Sequence, residues 1–202
     1  IFVVLVAVIE RFARRYLHHL EATDPPFEPY HTEHEFLYAE RTSMDENRFF
    51  QNQLSNIAVV KSGALRALLI RGVFYALQLL ASTVYNKGKL GEIPTIHFAR
   101  WVLLDDKHRL LFASNYDGSL ESYMDDFINK VAWGLNLVFS NGVGYPRTRW
   151  MLKGGAEREQ KFKYYLRRHQ VYTDVWYKAY PTSTGVDLAR NSKIRQGLDR
   201  LA

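Results

Sequence analysis

Four short apolar runs, each bounded by polar or turn-forming residues, predict β-strands. They cover residues 53–61, 95–104, 109–115 and 171–180. Only the charged residues 105–108 separate the second run from the third, and so short a link favours an antiparallel hairpin. The last run carries aromatic residues on both faces.

Apolar residues that recur at steps of three and four predict two long helices between these strands. The first covers 64–85, and its apolar surface is wider than one face. The second begins after Ser119, a good N-cap, with Glu121 in its first turn where a negative charge suits the helix dipole. An amphipathic basic helix is predicted over 156–169, and a short polar helix near the C-terminus.

The order strand, helix, strand, strand, helix, strand predicts an α+β fold of the ferredoxin-like type, β-α-β-β-α-β. The basic helix is an insertion before the last strand. We expect this domain to cover 49–181, followed by a tail over 182–202. The open face of the sheet carries one of two alternating sets, and either set is too apolar to face water, so we expect a second copy, another subunit or a ligand to cover it. The sets are His97, Ala99, Trp101 and Leu103, or Ile96, Phe98, Arg100 and Val102.

The N-terminal segment combines an apolar run with basic residues. Residues 1–9 are uncharged, and Arg11, Arg14 and Arg15 follow. Within 1–21 this order is typical of the cytoplasmic end of a membrane helix, and a helix docked on a neighbouring protein is the alternative. Residues 22–48 contain three of the six prolines, which predicts an extended acidic arm without regular helix.

Composition narrows the classes of function. The chain has no cysteine, which excludes disulfides, thiolate nucleophiles and zinc sites that need sulfur. The net charge of +6 and the basic cluster over 147–168 favour phosphate-bearing partners, unless this cluster is only a solvated face. Because the apolar helix at 64–85 and the opening run accompany these charges, we favour anionic lipid at a membrane surface over nucleic acid.

Three segments, "VVKSGALRALL", "IPTIHFARWVLLDD" and "LLFASNYDGSLESYMDDF", carry a family resemblance. Over roughly 50–180 the chain resembles the dimeric α/β-barrel superfamily, in which two ferredoxin-like sheets close face to face, and it is similar to bacterial proteins with an HFARWV…NYDGS pattern. The superfamily includes the dye-decolourising peroxidases, which bind haem at a distal Gly-x-x-Asp-Gly motif. Residues 114–118 correspond to that motif, with Ser114 in place of its first glycine. Those peroxidases contain two ferredoxin-like halves, and this chain contains one.

The resemblance implies haem as a candidate cofactor and assigns candidate roles to five residues. Asp117 would be the distal acid, Arg147 or Arg149 would stabilise the departing charge, and His169 or His97 would be the axial ligand. Each has an alternative explanation. Asp117-Gly118 is ordinary turn chemistry before a capped helix, His169 suits a helix C-terminus, and His97 packs beside Trp101. A weaker metal motif is His31-Thr32-Glu33-His34.

The sequence therefore predicts a membrane-associated α+β domain that acts as a structural or ligand-holding subunit of a larger assembly. The competing hypothesis is a haem-dependent, peroxidase-like oxidoreductase. A third hypothesis is a domain that binds a small apolar molecule without chemistry.

Overall fold

A computed structural model describes residues 2–24, 33–46, 50–84, 93, 95–180 and 182–200. The helices are α1 (Phe2–Thr23), α2 (Glu33–Glu46), α3 (Ala64–Thr83), α4 (Leu120–Phe139), α5 (Glu159–His169) and α6 (Gly185–Asp199). The strands are β1 (Gln51–Val59), β2 (Ile96–Leu104), β3 (Arg109–Asp117) and the two-residue pair β4 (Thr148–Arg149) and β5 (Lys153–Gly154).

The three long strands form one antiparallel sheet in the order β1-β3-β2. In β3, Leu110 pairs with Ala58 of β1 and with Leu103 of β2, so β3 is the central strand. A short 3₁₀ turn at Asp105–Lys107 joins β2 to β3, which confirms the predicted hairpin. The fold class is α+β.

The predicted fourth strand does not form, although residues 171–180 are described. Contacts with β1 include a bridge between Asn56 and Gln170, a hydrogen bond from the Val171 amide to the Ser55 carbonyl (2.7 Å), and a side-chain bond from Lys178 to the Gln51 carbonyl, but no continuous ladder of strand pairs is formed over the described residues 171–180. A strand with aromatic residues on both faces needs a cover on both, and here the side chains of 175 and 177 are exposed. The full ferredoxin-like order is therefore not confirmed.

One expectation for the N-terminal region needs correction. Helix α2 occupies 33–46, inside the segment predicted to be an extended arm. The three prolines, at 25, 26 and 29, precede this helix and so do not interrupt it.

Among the described helices, α3 has the length and apolar composition to cross a membrane. Helix α1 is 22 residues long and carries three arginines in its middle. The expectation that residues 1–21 are the end of a membrane anchor stays a prediction.

The core lies between one face of the sheet and helices α4 and α5. Phe112 of β3 stacks on Trp101 of β2, with ring centroids 5.1 Å apart, and meets Phe139 of α4 edge to face. This contact decides which set of β2 residues faces the core. It is the set with Ala99, Trp101 and Leu103, whereas Phe98 is 76% exposed on the open face.

Candidate functional site

Asp117 and His97, two of the five predicted site residues, are in direct contact. A break in the β2 register between Ile96 and Phe98 accommodates His97, and its Nε2 lies 2.7 Å from Oδ1 of Asp117. The other carboxylate oxygen accepts a hydrogen bond from the Gly185 amide, also at 2.7 Å. Asp117 therefore joins the edge strand β2 to the first residue of α6.

The segment that leads into α6 is fixed by further polar contacts. Thr184 caps α6 and forms a reciprocal capping box with Asp187. The side-chain amide of Gln51 donates to the carbonyl of Ser183. A carboxylate at the first amides of a helix satisfies an otherwise unpaired donor and complements the helix dipole. The arrangement around Asp117 is suited to holding the C-terminal helix against the sheet.

His169 lies apart from this pair, at the end of α5. Its Nδ1 donates to the Tyr165 carbonyl (2.8 Å), and its ring lies 4.3 Å from the Tyr165 ring. Burial lowers the pKa of His169, so the ring is neutral at pH 7. The hydrogen bond at Nδ1 leaves Nε2 as the acceptor nitrogen.

Arg147 and Arg149 lie near the opposite end of the sheet from Asp117. The Arg149 guanidinium packs over the Trp150 ring at 4.4 Å, and Arg14 of α1 lies over the same ring at 5.1 Å. The side chain of Thr148 in this loop donates a hydrogen bond to Glu21 near the end of α1, and Asp24, the residue after α1, binds Lys61, which follows β1. The loop therefore lies near the C-terminal end of β1. Asp117 pairs with the first residue of β1, and the nine residues of that strand extend about 30 Å.

Among the five predicted site residues, the contacts above join only Asp117 and His97, and haem binding stays a prediction. His97 is bonded to Asp117, His169 lies at the end of a different element, and neither histidine lines the apolar cavity or grooves described below. Within the described residues there is no group of three or more potential metal-binding side chains. His31 lies outside the described residues, as does the side chain of His34, so that motif stays a prediction.

A different surface stands out by its chemistry, and sequence reasoning located it only as a wide apolar helix. Helix α3 has exposed apolar side chains at steps of seven and four, namely Leu68, Tyr75 and Leu79. Tyr75 is 76% exposed. Its opposite side packs on the core through Ile70 and the partly buried Phe74 and Leu77. We call the exposed row of Leu68, Tyr75 and Leu79 the α3 stripe.

Two open apolar grooves flank α3 and share Leu69. One is formed with α1 and is lined by Phe12, Ala13, Tyr16, Leu17, Leu65 and Leu69. The other is formed with α4, where Trp133 and Leu137 face α3. The stripe and the grooves make one continuous apolar area across three helices. Exposed apolar areas of this kind mark sites of protein or membrane contact.

The C-terminal end of α1 is anchored to the body by buried ionic contacts. Asp24 binds Lys61 at 2.6 Å and Arg66 at 2.9 Å, while Glu21 accepts hydrogen bonds from Thr148 and from a loop amide. Burial lowers the pKa of Lys61, and its hydrogen bond to Asp24 acts in the opposite direction. The end of α1 is thus fixed, whereas residues farther toward its start, including Phe12 at 72%, are exposed.

Arg71 lines the apolar area, while several cations of the predicted basic cluster are engaged elsewhere. Arg71 lies in the groove beside α4, and α1 carries Arg11, Arg15 and Arg14, the last of which pairs with Glu10. On α5, by contrast, Lys163 binds Asp125 and Glu159, and Arg167 binds Glu121 at 2.8 Å. Positive charge that is available to an anionic surface is therefore better placed beside α1 and α3 than along α5.

No family profile, curated protein or solved structure matches the chain. The resemblance to the dimeric α/β-barrel superfamily consequently stays a prediction. The structure has two notable features, the contacts of Asp117 that join β2 to α6 and an extended apolar area on α1, α3 and α4.

Proposed function

We propose that the protein binds an anionic membrane surface through the α3 stripe and the grooves beside it, as a structural or ligand-holding subunit of a larger assembly. The observation that carries this proposal is α3 itself. It is a 20-residue helix of membrane-like composition whose outward side exposes Leu68, Tyr75 and Leu79. We place the protein on the cytoplasmic side because anionic lipids give that leaflet its negative potential.

The packing of α3 favours a position in the plane of the interface over one that crosses the bilayer. Ile70 and Arg66 are buried, and Arg66 forms its ion pair with Asp24, the residue after α1. Crossing the bilayer would remove α3 from the sheet and deprive Asp24 of one of its two cationic partners. An interfacial helix buries only one side and keeps the other on its own protein.

The side chains around the stripe have the character of a membrane interface. Tyr75 and the half-exposed Trp133 are aromatic residues with polar atoms, the type that concentrates at the headgroup level. Arg71, which lines the groove beside α4, is placed to meet an anionic headgroup, and such a contact contributes about 1 kcal/mol per basic residue near the surface. Apolar contact and charge would therefore act together.

The open face of the sheet supports the second part of the proposal, a protein partner or a second copy. Phe98 and Val102 of β2 are exposed there, on the side away from α3. A partner on this face and a membrane on the α3 side would not compete. Sedimentation velocity of the protein and of a Phe98→Ser variant would test whether this face mediates self-association.

Vesicle co-sedimentation tests the membrane proposal. We expect the protein to pellet with phosphatidylcholine vesicles that contain phosphatidylserine, and to release as salt increases. A Tyr75→Ser/Leu79→Ser variant should lose most of this binding. Phe98→Ser is the matched control, because Phe98 and Tyr75 are equally exposed but lie on opposite sides of the molecule. Equal binding by both variants, or no binding by the unmodified protein, would contradict the proposal.

A further inference from the structure

Beneath the α3 stripe lies an apolar cavity between α3, α4 and β2. Its volume is about 100 Å³. Residues that line it include Leu77 and Leu80 of α3, Trp101 of β2, and Phe127, Val131 and Gly134 of α4. All of its lining residues are apolar or glycine. Cavities of this character stay dry and accept apolar molecules, as an engineered cavity of about 150 Å³ does with benzene.

The wall formed by α4 is irregular where it borders this cavity. Val131 leaves the helical conformation (φ −138°, ψ 30°) in the middle of α4. One turn later, Gly134 supplies no side chain, and a Cβ at that position would have no atom within 4 Å. Protein interiors are close-packed, so a space of this size that both features keep open is typical of a binding site.

The cavity adjoins the proposed membrane surface. Leu77, Leu80 and Trp133 line both the cavity and the open groove between α3 and α4. A chain that passes from the cavity into this groove would therefore contact apolar side chains at the boundary. The shape that this path accommodates is a narrow apolar chain that enters from the α3 side.

We infer that the cavity holds the end of a single hydrocarbon chain of a lipid. This inference rests on the proposed function, because the membrane is the source of the chain. The cavity would bind the methyl end, and the groove between α3 and α4 would bind the carbons nearer the headgroup. Arg71, which lines that groove, lies where it can approach a phosphate or carboxylate headgroup.

Tryptophan quenching in solution tests the cavity apart from vesicles. Two of the four tryptophans, Trp101 and Trp133, line it, so a Trp150→Phe/Trp176→Phe background reports on the cavity and on the groove that Trp133 shares with it. The probe is a long-chain fatty acid brominated near its methyl end, used below its micelle concentration. We expect saturable quenching with one fatty acid per protein. Absence of saturable quenching would overturn the inference.

A Gly134→Leu change is designed to fill the cavity from α4. It should weaken fatty-acid binding about tenfold or more, because the added side chain occupies the space of the chain end. Gly197→Leu on α6 is the matched control, since a Cβ there also meets no atom within 4 Å, and it should bind like the parent. Gly134→Ala, a smaller change, should give an intermediate loss. Equal affinity in all three variants would overturn the inference.

The outcomes separate the cavity from the membrane proposal. If Gly134→Leu keeps vesicle binding and loses fatty-acid quenching, both proposals stand. If the protein binds vesicles but the brominated fatty acid gives no saturable quenching, the cavity inference fails while the membrane proposal holds. Fatty-acid quenching without vesicle binding would contradict the membrane proposal, and the chain would then have a soluble source.

Discussion

Helices α3 and α4 have the same length and a similar apolar content, yet they are used in different ways. Both contain 20 residues. Along its whole described length α4 buries eight side chains, among them Phe127 and Phe139, whereas α3 buries only Arg66 and Ile70. The sheet, α5 and the following loop surround α4. Helix α3 packs on the core through Ile70, Phe74 and Leu77, and the exposed side chains of the α3 stripe have no cover among the described residues.

The difference shows that apolar periodicity identifies which side chains avoid water but not what covers them. For α4 the cover is the protein. For α3 we propose that the cover is a membrane surface, with one hydrocarbon chain in the cavity between the two helices.

The largest effect should come from truncation in α4. Phe139→Ala should lower the free energy of unfolding by about 3–5 kcal/mol, because it removes ring contacts with Phe112 and Tyr165 and leaves a cavity. Leu68→Ala in α3 should change it by less than about 0.5 kcal/mol. Urea unfolding at equilibrium measures both. Similar losses would show that α3 is as buried in solution as α4.

A second large effect should follow when the anchor at the start of α3 is removed. Asp24→Asn deprives two buried cations, Lys61 and Arg66, of their anion, and should cost about 3 kcal/mol at pH 7. Glu10→Gln, which breaks the exposed ion pair with Arg14 on α1, is the control and should leave the free energy of unfolding nearly unchanged.

The cost of Asp24→Asn should depend on pH with a definite sign. Burial already lowers the pKa of Lys61 in the folded state, and loss of Asp24 would lower it further. Between the lowered folded-state pKa of Lys61 and its higher unfolded-state pKa, the unfolded chain binds more protons than the folded one, so stability increases as pH rises through that range. We expect the difference between the variant and the parent to shrink from pH 7 to pH 10. A constant difference in urea unfolding would contradict this account of Lys61.

Basic residues beside the apolar area should have a smaller effect that appears only with vesicles. Arg71→Gln, in the groove beside α4, should weaken binding to phosphatidylserine vesicles about fivefold, and its effect should disappear at high salt. Lys163→Gln on α5 should have little effect on this binding, because that cation is already paired with Asp125 and Glu159. A larger loss for the α5 variant would move the membrane surface away from α3.

The smallest effect should be seen at α6, which buries no side chain. Asp117→Ala removes the acceptor for both His97 and the Gly185 amide, and should destabilise α6 locally by about 1 kcal/mol. Amide hydrogen exchange should accelerate over 185–190 while α4 stays protected. Thr184→Ala should reproduce this effect through loss of the cap. Unchanged exchange would contradict the structural role assigned to Asp117.

The sequence predicts the regular elements well where local chemistry decides them. Ser119 caps α4, with its side chain accepting from the Ser122 amide, and the hairpin between β2 and β3 has the short polar link that the sequence indicates. The missing strand at 171–180 depends instead on pairing with the distant edge of β1. The three prolines of the predicted arm all precede Glu33, where α2 begins, so they do not prevent this helix from forming.

Part of the candidate site is equally hard to predict. The pairing of His97 with Asp117 depends on the break in the β2 register, which no residue pattern marks. The use of Asp117 to hold α6 depends on a contact across 68 positions of sequence. The wide apolar surface of α3 is visible in the sequence, whereas the exposed row of Leu68, Tyr75 and Leu79 depends on which neighbours pack against the helix.

Spin labels on the two equally exposed aromatic positions test whether the α3 stripe faces the membrane. The chain has no cysteine, so Tyr75→Cys and Phe98→Cys can each be labelled at a single site. With phosphatidylserine vesicles, power-saturation measurements should show the label at 75 gaining access to oxygen and losing access to a water-soluble nickel complex. The label at 98 should stay accessible to the nickel complex. Identical behaviour of the two labels would contradict a membrane surface on α3.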